Sequence, residues 1–183
     1  ANGEGVRVAV VDSGVEVLHE DLRPNIVPGG SFNYRQGAHF GSDYPLPCAA
    51  GNVHGTAVAG IVAARGGNAI GGSGVAPAAL MVGLNPLSTN MNADIEHALG
   101  YQRDRNAIYV NSWGSPDYGV LNPSDADFDA AIEQGLAQGR GGLGSIFVFP
   151  AGNGGTLAVE TGTGRVLRDN ANYDGYVNKR GQI

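Results

Sequence analysis

The sequence predicts an α/β fold, a doubly wound parallel sheet with helices on both faces. Two observations predict it. Short apolar, β-branched runs alternate with segments whose apolar residues recur at helical spacing. Polar residues, Asp12, Ser112 and Asn153, fall at or just after the ends of those runs, where open sheets of this kind bind ligands. Strands are expected over residues 6–11, 80–84, 108–112 and 145–149. Helices are expected over about 54–65, 93–103 and 125–138. In the last, Phe128, Ala131, Ile132 and Leu136 recur at helical spacing, and Ser124 or Asp125 stands where a cap is needed. Residues 35–51 read as a long polar loop, and 156–168 as an inserted hairpin turning at Gly162-Thr163-Gly164. The glycine-rich run at 139–144 precedes a strand rather than following one, the wrong context for a dinucleotide-binding turn.

At 183 residues the chain holds one domain with room for a sizeable core. Its 42 % hydrophobic and 15 % charged content belongs to a folding chain rather than a disordered one. A formal charge of −6 excludes a nucleic-acid surface, which needs a clustered basic face, and suits cations instead. Cys48 is the single cysteine, so neither an intrachain disulfide nor a cysteine-built zinc site is available. It is expected to be a small apolar filler, with a reactive thiol as the alternative. No run approaches the roughly 18 apolar residues that span a bilayer. Glycine accounts for 31 residues scattered between periodic segments, which points to tight turns and close backbone approaches.

Three polar residues stand out as candidates for chemistry. His54 opens the run Val53-His54-Gly55-Thr56-Ala57-Val58-Ala59-Gly60, a histidine followed by small residues at a helix start. Asp12 ends Val8-Ala9-Val10-Val11-Asp12-Ser13-Gly14. It can close a turn as Asp-Ser-Gly and still orient an imidazole, since the two roles are compatible. Asn153, in Pro150-Ala151-Gly152-Asn153-Gly154-Gly155, reads either as a left-handed turn residue or as an amide donor to a developing oxyanion. Hydrolysis by a serine hydroxyl needs a neutral imidazole within hydrogen-bond reach, held in one tautomer by a carboxylate.

The order Asp12, His54, Asn153 resembles that of the subtilisin-like (subtilase) serine proteases. Closer still, the segments 109–114 (Tyr-Val-Asn-Ser-Trp-Gly), 139–149, 152–155 and 172–178 (Asn-Tyr-Asp-Gly-Tyr-Val-Asn) resemble the kexin/furin-type proprotein convertases, over about residues 6–178. The resemblance implies a subtilisin-like sheet, incomplete at its C-terminus, with residues 1–183 forming the N-terminal part of the catalytic domain. The prodomain and the Gly-Thr-Ser nucleophile segment are expected to lie outside it, leaving this piece inactive alone. Ser112, Trp113 and Gly114 would pair with a substrate strand, and Asp117 and Asp174 would line the pocket for an Arg or Lys before the cut. Calcium is implied at two sites. One takes Asp21, the carbonyls of Arg65, Ile70 and Gly72, and the Asn68 side chain; the other takes Asp117 and Asp169 with a further downstream acid. A peptide or protein substrate, the chain's own prodomain as partner, and a secreted or periplasmic setting follow from the same resemblance.

The pattern departs from the convertases in four places. Ser13 and Gly51 stand where they carry acids around the next subsite, and Ile95 and Pro123 where they carry acids farther out, although Glu96 is adjacent. Basic selectivity is therefore expected at one position only. Lys179-Arg180 reads as a solvated turn. The rival from another class is a catalytically dead peptide- or calcium-binding module.

Overall fold

The computed structural model describes residues 1–35, 43–49, 51–89, 91–155, 158–159, 162–163, 166–167, 169 and 171–178. Parallel strands β1 (Arg7–Val11), β2 (Leu80–Leu84), β3 (Ile108–Asn111) and β4 (Ile146–Val148) form one sheet in the order β2-β1-β3-β4. Helices α1 (His54–Ala63), α2 (Asn92–Gly100) and α3 (Ala126–Gly142) make the crossovers. A short antiparallel hairpin, β5 (Ala158–Val159) with β6 (Val166–Leu167), stands where the sequence places its insertion. No helix among the described residues is long and apolar enough to cross a membrane.

Alternation along the strands builds two cores. Ala9, Val11, Val82, Leu84, Tyr109 and Phe147 face α2 and α3, packing against Leu99, Phe128 and Ile132. Val8, Val10 and Met81 face the other way, against Ala59 and Ala63 of α1. Both sheet faces are covered, which is why the strands read as nearly continuous apolar runs. After β1 the chain runs parallel along the other edge of β2 at Ile26 and Phe32, returns to β2 with α1 on one face, and goes on to β3 and β4 with α2 and α3 on the other. The reversal falls at β1, so the crevice for a ligand opens beyond the carboxyl ends of β1 and β3.

Helix boundaries follow local chemistry. Asp125 caps α3, its carboxylate accepting the Phe128 N–H at 2.7 Å. Helical dihedrals give out at Gly139, and Arg140 and Gly141 turn left-handed, so the regular helix stops where its apolar spacing does. Helix α2 stops at Gly100 rather than 103 because Tyr101 is extended and Gln102 has φ +48°. The loop expected at 35–51 is described at 35, 43–49 and 51, where it has no regular element; residues 36–42 and 50 lie outside the described residues, as do Lys179 and Arg180. Cys48 is exposed rather than a buried filler, its sulfur 3.7 Å from Asn52 Nδ2.

Candidate active site

Asp12 continues β1 by one residue, its N–H donating to Leu84 O at 2.9 Å, and its carboxylate is buried at 1 % exposure. His54 is the first residue of α1. Its Nδ1 lies 2.9 Å from Asp12 Oδ2 and 3.0 Å from Oδ1. A carboxylate only accepts, so Nδ1 carries the proton and Nε2 keeps its lone pair. The His54 side chain is 59 % exposed, which leaves the second nitrogen open to the crevice. Glycine makes this approach possible. A Cβ at residue 55 would lie 2.3 Å from Gly14 O and 2.9 Å from Asp12 Oδ1. Ser13 adds two contacts to Asp12 Oδ1, its N–H at 2.7 Å and its hydroxyl at 3.1 Å.

His54 borders a cleft of about 470 Å³ that Asn153 and the segment 112–117 also line. Trp113 fixes that segment: its indole N–H donates to Val11 O at 3.0 Å, tying the chain after β3 to the end of β1. Asp117 and Asp174 both face the cleft. Asp117 Oδ2 accepts the Asn153 N–H at 2.8 Å; Asp174 accepts from Ser115 N at 2.7 Å and Tyr176 N at 2.8 Å. Gly114 and Gly152 leave room for these acids, since a Cβ on either would meet Asp174 Oδ2 at 2.4 Å or Asp117 Oδ1 at 2.6 Å. Among the described residues no lysine or arginine pairs with either acid. Ser112 and Ser115 line the same cleft, but neither hydroxyl bonds to His54 among the described residues.

The structure gathers the residues read from the sequence into two groups. Asp12, His54, Asn153, Ser112, Trp113, Gly114, Asp117 and Asp174 surround the cleft or support it. Asp21, Arg65, Asn68, Ile70 and Gly72 form a second cluster. Asp21 Oδ1 accepts from Asn68 Nδ2 at 2.7 Å, Oδ2 from Gly72 N at 3.0 Å, and Arg65 N donates to Asp21 O at 2.8 Å. Ile70 N–H donates to Asn68 Oδ1 at 3.2 Å. The hydrogen bond from Asn68, and then that from Gly72, hold the Asp21 carboxyl below its ordinary range. Asp169 Oδ2 accepts Gly119 N–H at 2.8 Å and its N–H donates to Gly154 O, so it sits on the loops beside Asp117. Among the described residues no three His, Cys, Asp or Glu side chains gather as a metal cluster. Sequence reasoning missed the Ser13 and Asn52 contacts beside Asp12.

A dyad and an amide at the switch point of a doubly wound sheet mark the class of α/β hydrolytic scaffolds in which an imidazole works against a buried carboxylate. Residues 3–178 match the model of the subtilase family, and the chain belongs to it. It is 38 % identical to kexin of Saccharomyces cerevisiae over 179 residues, covering 96 % of this chain and 20 % of that protein. Furin of Bos taurus is 37 % identical over 181 residues, covering 96 % of this chain and 21 % of that protein. Among solved structures, a serine protease of Aeromonas sobria superposes with a TM-score of 0.71 at 36 % identity, over 88 % of this chain and 27 % of that one. The chain thus spans about a fifth of the length of these curated relatives.

Proposed function

We propose that this chain is the N-terminal part of the catalytic domain of a subtilisin-type serine endopeptidase that cuts after Arg or Lys. The observation that carries the reading is the doubly hydrogen-bonded Asp12–His54 pair, opening on a cleft also lined by two acids that pair with no lysine or arginine among the described residues. In this mechanism His54 Nε2 takes the proton of the attacking hydroxyl and returns it to the leaving amine. Asp12 steadies the imidazolium, and the Asn153 amide donates to the oxyanion. The hydroxyl comes from a Gly-Thr-Ser segment elsewhere in the gene product, and the part alone is inactive. A substrate strand pairs with Ser112, Trp113 and Gly114, placing its basic side chain against Asp117 and Asp174. Carboxylates held at a cleft without a counter-charge favour a guanidinium or ammonium guest.

At the next subsite neither expected acid is present: Ser13 donates its hydroxyl to Asn52 Oδ1 at 2.7 Å, and Gly51 adds no side chain. A second basic residue is therefore not required. Calcium fits the Asp21 cluster by donor chemistry, since one buried carboxylate, an amide and backbone carbonyls of Arg65, Ile70 and Gly72 form an all-oxygen set suited to a hard cation. Both Asp21 oxygens accept N–H groups, so Asn68 must present its other amide face to hold the ion. Asp117 and Asp169 are the second candidate pair. Calcium would supply loop stability at both places. Export and maturation from a prodomain complete the reading, on the strength of family membership.

The test uses the full gene product and peptides that differ only before the cut. Arg and Lys should exceed Ala by at least tenfold in kcat/KM, and a chelator should lower the melting temperature. Equal cleavage of the Arg and Ala peptides would remove the pocket argument. A gene without a Gly-Thr-Ser segment would instead leave a non-catalytic peptide- or calcium-binding module.

A further inference from the structure

The chain carries a formal charge of −6, yet four of its arginines gather at the amino ends of the strands, the pole opposite the cleft. Arg7 opens β1, Arg103 and Arg105 lie in the turn between α2 and β3, and Arg140 stands in the left-handed end of α3 before β4. The turn at 101–106 ties them together. Arg7 Nη2 donates to the Gln102 side chain, and Arg140 N donates to Arg103 O at 2.9 Å.

Three of these guanidinium groups are held by neutral oxygens. Arg7 uses Gln102 Oε1 and Gly30 O, Arg103 uses Gln134 Oε1 at 3.0 Å and Gln138 Oε1 at 3.3 Å, and Arg140 uses Gly144 O and Leu143 O. Amides and carbonyls fix the direction of a guanidinium without cancelling its charge. Arg105 alone faces an acid, Asp104 at 3.4 Å, and with side chains 67 % and 71 % exposed the pair is screened by water. Burial, then the nearby Arg105 charge, lowers the Arg7 pKa, the mark of like charges standing close. Leu143 lies beside them, 78 % exposed. Arg140 is left-handed at φ +50°, a costly conformation for a residue with a Cβ, and its side-chain bonds onto residues 143 and 144 hold the loop that way. The glycine-rich run at 139–144 thus presents one aliphatic side chain among cations.

We propose that this pole is a docking surface for an acidic segment of a partner protein, with Arg103, Arg105 and Arg140 receiving its carboxylates and Leu143 an aliphatic residue among them. Guanidinium forks match carboxylates bidentately, and those already fixed by neutral acceptors lose little freedom on binding. Range selects the partner. Charges in solution act over about 8–10 Å at ordinary ionic strength, so a short segment feels the arginines next to it, whereas an anionic bilayer also meets Asp104 and the net −6 of the chain. The dyad lies at the far end of β1, roughly 17 Å away at the rise of 5 residues, so a partner held here leaves the cleft open. The proposal stands independently of the proteolysis reading.

The experiment uses the full gene product and a short labelled peptide of glutamates around a single leucine, followed by fluorescence anisotropy. The peptide should bind at about 0.05 M salt and at least tenfold more weakly at about 0.5 M, while its lysine counterpart should not compete for the same site. Arg105→Glu should weaken binding about tenfold and Leu143→Ser about threefold. Arg23→Glu, the same change of charge on another exposed surface, should leave binding unaltered. No binding of the glutamate peptide at low salt, or equal loss in Arg105→Glu and Arg23→Glu, overturns the proposal. Retention on phosphatidylserine–phosphatidylcholine vesicles without binding of the peptide also overturns it, in favour of a lipid surface. The salt series and the vesicles use the unaltered protein, so the result does not depend on either variant folding.

Discussion

Gly55→Ala isolates what positions the imidazole, because it adds one methyl group at the crowded start of α1. The added carbon would lie 2.3 Å from Gly14 O, 2.8 Å from Asp12 Cβ and 2.9 Å from Asp12 Oδ1, where ordinary contact begins at 3.4 Å. Backbone cannot swing aside as a side chain does, so the helix start must retreat by roughly 1 Å, the gap between 2.3 and 3.4 Å. The His54–Asp12 bonds, now 2.9 and 3.0 Å, then stretch to roughly 4 Å and are lost. A displacement of that size costs about 100-fold in rate, and overpacking costs about 1–3 kcal/mol of stability. Gly60→Ala on the same helix is the control. Nothing lies within 4 Å of a Cβ there, so it should stabilise by about 0.5–1 kcal/mol and leave the rate alone. The assay is kcat/KM of the full gene product on an Arg peptide, with a thermal melt of each variant. A folded Gly55→Ala enzyme within threefold of the unaltered rate would refute the argument that this glycine sets the dyad distance.

Two further outcomes are expected. Asn153→Ala should lower kcat by about 10²–10³ with little change in KM, the magnitude known from subtilisin for loss of one oxyanion donor; a rise in KM alone would mean that the amide binds substrate instead. Burial, then the charges of Asp127 and Asp125, raises the Glu96 carboxyl above its ordinary 4.5. The folded state therefore holds the proton where the unfolded state has lost it, so stability falls as pH rises from about 4.5 through the raised value. Glu96→Gln should melt at a higher temperature than the unaltered protein at pH 7 and lose that advantage near pH 4; an advantage constant with pH would reject the assignment.

Much of the fold was legible because both faces of the sheet are covered, which turns each strand into a short apolar run. Residues 80–84 are β2 as expected, whereas β3 and β4 come out shorter than their runs. Ser145 leaves the ladder because its N–H donates to Gly135 O at the turn out of α3, and the chain after Asn111 is drawn toward β1 by the Trp113 indole. Neither contact has a local signal. Cys48 was misplaced for a related reason: its residue type favours burial, but it lies in a loop just after Pro45 and Pro47, where its neighbour is the Asn52 side chain. The dyad was legible because each member sits at the end of an element that periodicity locates.

The placement of the site follows from one topological step. With β2 on one side of β1 and β3 on the other, α1 leaves the end of β1 over one face while α2 and α3 cover the opposite face. Asp12 stands at the carboxyl end of β1 and Ser112 just past the end of β3. A buried carboxylate there needs donors, and Ser13 together with the first residue of α1 supplies them. Helix α1 can begin against Asp12 only because residue 55 has no Cβ. The imidazole is thus presented to the crevice by backbone packing that requires no substrate and no nucleophile.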